Sequence, residues 1–263
     1  MGILNVTPDS FADGGVHFDV DRAVEAGIRM VAEGADILDV GGESTRPGAD
    51  PLPADEELRR VLPVVERLAP RVNVPISIDT YKASVARPAV EAGAAIINDI
   101  SGLQYDRELA AVAAGSGAGL ILMHTRGRSS GMYDLAVYDD AAADVARELE
   151  QAIERATGAG VPRESIVIDP GFGFAKRAEH SYDVLARLDT LAALDRPILS
   201  GPSRKSFLKA ALGDREPSER EWGTAAAVAA SVLLGAHIVR VHGVREMVDV
   251  VRVADRIRDA ARG

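Results

Sequence analysis

Polar side chains recur where short apolar runs of this 263-residue chain end. In chain order they are Asn5, the segment Asp39–Arg46, Asp79, Asn98, Met123-His124, Asp169, Ser200 and Arg240-Val241-His242. One polar residue at such a place is ordinarily a cap or a solvated turn. A near-complete series is hard to explain that way. Asp79, Asn98 and Asp169 supply carboxylates and an amide. Buried acceptors must find donors, and a planar heterocycle with amino and ring N–H groups would provide them. Arg46, Arg204, Lys205, Arg240 and His242 supply positive charge, with Asn5, Ser44 and Thr45 beside them. That half suits phosphate oxygens. The two sets read together as a heterocycle slot joined to an anion site.

The elements that must hold these residues follow from a repeat. Gly34-Ala35-Asp36-Ile37-Leu38-Asp39 returns as Gly93-Ala94-Ala95-Ile96-Ile97-Asn98, then at 117–122 and 235–240. Each copy follows a helix-like stretch, so its glycine fits the left-handed position that ends a helix. The apolar run after it is too short for a helix and reads as a buried parallel strand. Ile3–Val6, Ile76–Asp79, Ile166–Asp169 and Pro197–Ser200 bring the strands to eight. Helical periodicity lies between them. One face is Leu58, Val61, Leu62, Val65 and Leu68, kinked at Pro63. A second is Val145, Leu149, Ala152, Ile153 and Ala156. A third is Val244, Met247, Val248, Val251, Ala254 and Ile257.

Eight strands alternating with helices predict an α/β fold, a (β/α)8 TIM barrel, as one domain over residues 1–263. A doubly wound open sheet would call for a phosphate-binding glycine fingerprint after the first strand, and none follows Ile3–Val6. In a barrel the polar series becomes a ring at the C-terminal ends of the strands, where such folds carry their chemistry. The first strand begins almost at residue 1, so the opposite face is expected to lack an N-terminal cover.

Composition narrows the classes further. Hydrophobic residues at 47% and charged residues at 27% fit a soluble protein. The absence of cysteine excludes disulfides, thiolate metal sites and cysteine nucleophiles and fits a cytoplasmic location. Residues 1–15 do not read as a secretory leader, and no apolar stretch reaches membrane-spanning length. A net charge of −10 argues against nucleic acid as the partner. Lys82, Lys176, Lys205 and Lys209 are the only lysines, so each stands out in an arginine-rich background. Ser203 reads as the N-cap of a helix starting near Arg204, after a Gly201-Pro202 turn, and a helix N-terminus there would suit an anion. His17, His180 and His237 read as structural or solvated, Trp222 as packing, and Glu43 as an orienting partner for Arg46.

Seven segments in order across the chain carry a resemblance: "MGILNVTPDSFADGG" (1–15), "DVGGESTRPGA" (39–49), "SIDTYK" (77–82), "INDISG" (97–102), "DPGFGFAK" (169–176), "SRKSFL" (203–208) and "RVHGV" (240–244). The chain resembles the dihydropteroate synthases, pterin-binding barrels of folate synthesis. The resemblance implies condensation of a dihydropterin methyl diphosphate with 4-aminobenzoate, assisted by Mg²⁺, through early loss of pyrophosphate. It implies that Asp79, Asn98 and Asp169 bind the pterin with Met123 beside it, and that Asp79, Asp169 and Lys205 are catalytic. Arg240 and His242, with Thr45 and Arg46, would hold the diphosphate. Phe11, Pro47, Phe174, Lys205 and Ser206 would enclose 4-aminobenzoate. Asn5, with Asp9, would bind the metal. The polar run after Ile3-Leu4 would be a lid hinged at Gly14 and Gly15. The resemblance also implies competitive inhibition by sulfonamides and a homodimer formed through barrel helices.

The chain departs from the family pattern in "HTRGRSSGM" (124–132) and at Ala175, Lys209 and Gly243, none of which removes a residue with an assigned role. Two other readings stay open at this point. A pterin-barrel methyltransferase would have no use for the diphosphate-binding set, and a non-catalytic paralogue would be expected to have lost one of its members.

Overall fold

Period-two alternation decides what each strand shows to each layer. The computed structural model describes residues 1–6, 20–44 and 50–262. Its strands are β1 (Gly2–Asn5), β2 (Leu38–Gly41), β3 (Ile76–Asp79), β4 (Ile96–Asp99), β5 (Gly119–Met123), β6 (Ile166–Asp169), β7 (Leu199–Ser200) and β8 (Ile238–Val239). Leu38, Val40, Ile76, Ile78, Ile97, Leu120, Leu122, Ile166 and Ile168 face the helices and form the main core with them. The alternate residues face the barrel axis. Toward the N-terminal ends these are apolar: Ile37, Ile96, Ile121, Val167, Leu199 and Ile238 pack as a small inner cluster with Met1. Toward the C-terminal ends the inward residues turn polar, with Asp39, Asp79, Asn98 and Asp169.

β1 to β6 pair in parallel in sequence order, and β7 pairs with β8. Single bridges close the ring, Ile168 to Ile198 between the β6 and β7 sides and Gly2 to Val241 between β8 and β1. The (β/α)8 barrel expected from the sequence is therefore observed, with each expected strand in its place. All four repeat glycines have positive φ, from 74° at Gly117 to 117° at Gly93, as helix-ending positions require.

The outer layer is α1 (Val20–Ala32), α2 (Ala54–Leu68), α3 (Ala83–Glu91), α4 (Glu108–Ser116), α5 (Ala141–Gly158), α6 (Ala178–Ala186), α7 (Lys209–Leu212), α8 (Glu221–Leu233) and α9 (Val244–Arg262). The periodic face of α5 is wholly buried, and Asp140 caps that helix by accepting from the Ala143 N–H at 3.0 Å. α2 runs through Pro63 as one helix. On α9 the predicted face fails at its end: Ile257 is 54% exposed. Trp222, expected to pack, is 84% exposed on the first turn of α8. Among the described residues, no helix is long and apolar enough to cross a membrane.

Candidate active site

Asp39, Asp79 and Arg240 form the floor of a cleft at the C-terminal ends of the strands. Arg240 Nε donates to Asp39 Oδ2 at 2.6 Å, and its Nη2 donates to Asp79 Oδ2 at 2.7 Å. Asn98 Nδ2 donates to Asp39 Oδ2 at 3.0 Å. Asp39 is fully buried. One guanidinium thus bridges two carboxylates, and each keeps an oxygen unused: Asp39 Oδ1 and Asp79 Oδ1 are buried without a partner. Leaving such acceptors unmet costs about 1–3 kcal/mol each, so the floor is built for a ligand's N–H groups or for water. Burial raises the Asp79 pKa, Arg240 opposes the shift, and the Asp39 carboxylate reinforces it. Burial would lower the Arg240 pKa, but Asp39 and Asp79 outweigh it and keep the guanidinium charged.

The walls come from β5, β6 and the turn after β7. Met123, Asp169, Phe174 and Lys205 line the cleft together with Asp79, Asn98 and Arg240. Asp169 Oδ1 accepts from the Gly171 N–H at 2.7 Å, while burial raises its pKa against that bond and against Lys205 and Arg240. Lys205 Nζ lies 4.0 Å from the Phe174 ring centroid, a cation–π contact. Burial, reinforced by Arg240, lowers the Lys205 pKa to about 8, with Asp169 and Asp79 opposing. The cleft has a cavity of about 20 Å³, room for one water. A hollow of about 320 Å³ lies at the other end of the barrel, between Met1, Ile37, Val239 and Met247. It carries none of the polar ring, so donor chemistry rather than volume picks the site.

Some expected members are turned elsewhere. Ser200 Oγ pairs with Ser231 Oγ at 2.8 Å, behind the barrel wall. His124 turns outward to Glu148 at 2.9 Å. Arg204 sits at φ 59° and pairs with Glu221 at 3.0 Å rather than joining the cationic set. Ser203 is no helix cap: its Oγ lies 2.9 Å from His242 Nδ1 and accepts from the His242 N–H at 3.2 Å. The expected helix there is a three-residue 3₁₀ turn, Ser206–Leu208, followed by the four-residue α7. Ser206 is exposed at the start of that turn. Glu43 serves Tyr81 (2.8 Å) and Lys82. His180 accepts from the Arg177 N–H and His237 from the Ile198 N–H, both structural as expected. Asp9, Phe11, Gly14, Gly15, His17, Thr45, Arg46 and Pro47 lie outside the described residues.

Asp39 stood in the strand-end series, but sequence reading gave it no role. Its signal was present, an aspartate at an inward position of β2, but its value depends on Arg240, 201 residues away. Among the described residues no cluster of three or more acidic or histidine side chains could cage a metal ion. Asn5 ends β1, half-buried at the rim. A single amide ligand fits Mg²⁺ that takes its other oxygens from phosphate and water.

Comparison with known proteins decides the family. Residues 1–242 match the model of the pterin binding enzymes. The chain belongs to the pterin binding enzyme family. It is 47% identical over 255 residues to the dihydropteroate synthase of Escherichia coli K12, covering 97% of this chain and 90% of that one. It is 48% identical over 264 residues to the folic acid synthesis protein of Schizosaccharomyces pombe, covering 98% of this chain but 36% of that longer protein. Among solved structures, the dihydropteroate synthase of Xanthomonas albilineans with 4-aminobenzoic acid superposes with a TM-score of 0.92 at 44% identity, covering 98% of this chain and 92% of that one. The Yersinia pestis enzyme in a sulfonamide drug complex gives 0.92 at 43% identity, with 98% and 94% covered.

Proposed function

We infer that the chain is a transferase performing the dihydropteroate synthase reaction of folate biosynthesis. The carbon of (7,8-dihydropterin-6-yl)methyl diphosphate bonds to the amine nitrogen of 4-aminobenzoate. The C–O bond to diphosphate breaks, and pyrophosphate and a proton leave. The observation that carries this reading is the buried, unpartnered Asp79 Oδ1 beside Asn98, Asp169, Lys205 and Arg240 in one cleft. Relatives at 44–47% identity named dihydropteroate synthase support it over the methyltransferase reading.

The residues divide the work. Asp79, Asn98 and Asp169 would accept the pterin's N–H donors, with Met123 against the ring. As the C–O bond breaks the pterin gains positive charge, and the buried carboxylates of Asp79 and Asp169 would stabilise it more than they do the neutral ring. That difference is what lowers a barrier. Lys205 and Arg240, both cationic and half-buried, would hold the pterin carbonyl and the departing diphosphate, with His242, Thr45 and Arg46 completing the anion site. Phe174, Lys205 and Ser206, with Phe11 and Pro47, would enclose 4-aminobenzoate. Asn5, with Asp9, would hold Mg²⁺, which would offset diphosphate charge.

Sulfonamides are expected to compete with 4-aminobenzoate, as the drug complex of the Yersinia relative supports. The reaction is proposed for one domain over residues 1–263, in the cytoplasm. A homodimer through barrel helices is part of the proposal: four of the seven large apolar side chains exposed among the described residues, Trp222, Leu233, Val253 and Ile257, lie on α8 and α9. Calorimetry with the pterin diphosphate tests the pterin assignment. Asp79→Asn is expected to weaken binding at least about tenfold, the loss of one charged acceptor. Unchanged affinity would remove Asp79 from the site.

A further inference from the structure

The turn after β7 carries a residue in a conformation that its type resists. Arg204 has a φ of 59°, in the left-handed region where a Cβ crowds the backbone. It is the third residue of a four-residue turn, in which the Lys205 N–H donates to the Pro202 carbonyl at 3.3 Å. A positive φ at that place ordinarily calls for glycine or asparagine. Such strain persists only where the surroundings over-determine it, and it gathers at functional sites. Here the surroundings are the first turn of α8 and the residue before it. The Arg204 N–H donates to Thr224 Oγ1 at 3.0 Å, its carbonyl accepts from Arg220 Nη1 at 2.9 Å, and its Nε donates to Glu221 Oε2 at 3.0 Å. Backbone donor, backbone acceptor and side chain are all tied to one short stretch.

The holding residues are themselves fixed. Thr224 is fully buried and Arg220 nearly so, and Arg220 Nε and Nη2 both donate to the Arg215 carbonyl, at 2.9 and 2.6 Å. Glu221 Oε1 is buried against Gly243, where a Cβ would meet it at 2.5 Å. Gly243, a departure from the family pattern, thus leaves room for Glu221. The two neighbours of Arg204 serve different parts of the site. Ser203 engages His242 through its hydroxyl, and Lys205 reaches the Phe174 ring in the cleft. A change of φ at Arg204 would turn one neighbour relative to the other, so the two contacts coexist only while Arg204 stays left-handed.

We propose that Arg204 is a positioning residue: locked left-handed by Thr224, Arg220 and Glu221, it aims Lys205 into the cleft while Ser203 stays on His242. The effect on catalysis rests on the synthase reading, while the lock stands apart from it. Arg204 acts through its backbone conformation rather than by lending charge to the anion site. Glycine takes the left-handed region as readily as the right-handed one. Alanine keeps the Cβ penalty of arginine and loses the tie to Glu221. The two substitutions remove the same guanidinium and differ in what they do to the turn.

Kinetics and amide hydrogen exchange of paired variants test this on the whole chain. Arg204→Ala is expected to lower kcat/KM at least about fivefold, and Arg204→Gly to recover at least about threefold of that loss. Thr224→Val, which leaves the Arg204 N–H without its acceptor, should lower kcat/KM at least about tenfold, while Thr224→Ser, which keeps the hydroxyl, stays within about twofold of the wild type. In a Lys205→Ala background, Arg204→Ala should cost no more than about twofold, because the side chain it aims is gone. Exchange of the Lys205 amide, which closes the turn, reads the lock without turnover. Corrected for intrinsic rates, it should be at least about threefold faster in Arg204→Ala and Thr224→Val than in Arg204→Gly and Thr224→Ser. A glycine variant no more active than the alanine one, or a full loss in the Lys205→Ala background, would overturn the proposal, since a role in charge or general stability gives those results. The Arg204 pair decides this even if Thr224→Val fails to fold. Absent turnover in the wild type would instead refute the synthase reading, and equal exchange in Arg204→Ala and Arg204→Gly would still overturn the lock.

Discussion

Two lysines after different strands, Lys82 half-buried and Lys176 buried, meet opposite surroundings. Lys82, after β3, has its ammonium against the carboxylates of Glu43 and Glu57 and over the Tyr81 ring at 4.6 Å. Burial would lower its pKa, but the two carboxylates outweigh that and raise it. Lys176, after β6, touches only carbonyls and a neutral imidazole, and burial wins. The same side chain is a permanent brace where paired with full charges and a titratable one where paired with dipoles. The brace anchors the start of the loop after β2. The titratable lysine holds the loop that carries Asp169 and Phe174.

This contrast can be broken or sharpened by unfolding measurements. Lys82→Met should have the largest effect, about 3–5 kcal/mol in a denaturant titration, since it strands two largely buried carboxylates. A loss below about 1 kcal/mol would mean that the pair is not a brace. The next effect is a pH slope. The folded pKa of His124, about 4, lies below its ordinary 6.5, so the unfolded chain takes up the proton first. Stability contributed by the neutral ring is complete above pH 6.5 and drains as pH falls toward 4. Relative to His124→Asn, the wild type should lose on the order of 2 kcal/mol across that window, and parallel stability curves would contradict it. Lys176→Met should cost less at pH 7, about 1–2 kcal/mol, because the orphaned carbonyls are offset by removal of a buried charge. A cost equal to that of Lys82→Met would erase the distinction. Lys209→Met, at an exposed pair with Asp214, should leave the unfolding midpoint unchanged.

The fold was legible because it rests on local rules. Strand length, alternation and the four helix-ending glycines are decided within a few residues, and each appears where expected. The inward aspartates at strand ends were legible for the same reason. What escaped depended on distant partners. Ser203 looked like a cap until His242, 39 residues on, engaged its hydroxyl. Arg204 looked cationic and free until Glu221 took it. The tie between His124 and Lys176 spans 52 residues and uses no recognisable spacing. Trp222 was misread because burial depends on what covers a helix, which the helix's own sequence does not state.

The central claim is that the cleft over Asp39, Asp79 and Arg240 catalyses condensation of a pterin diphosphate with 4-aminobenzoate. Pyrophosphate release from the purified chain tests it most directly. Release that requires the pterin diphosphate, 4-aminobenzoate and Mg²⁺ together, and that falls at least about tenfold in Lys205→Ala, is the predicted result. No release with the pterin diphosphate still bound would contradict it and leave a pterin-binding barrel without turnover.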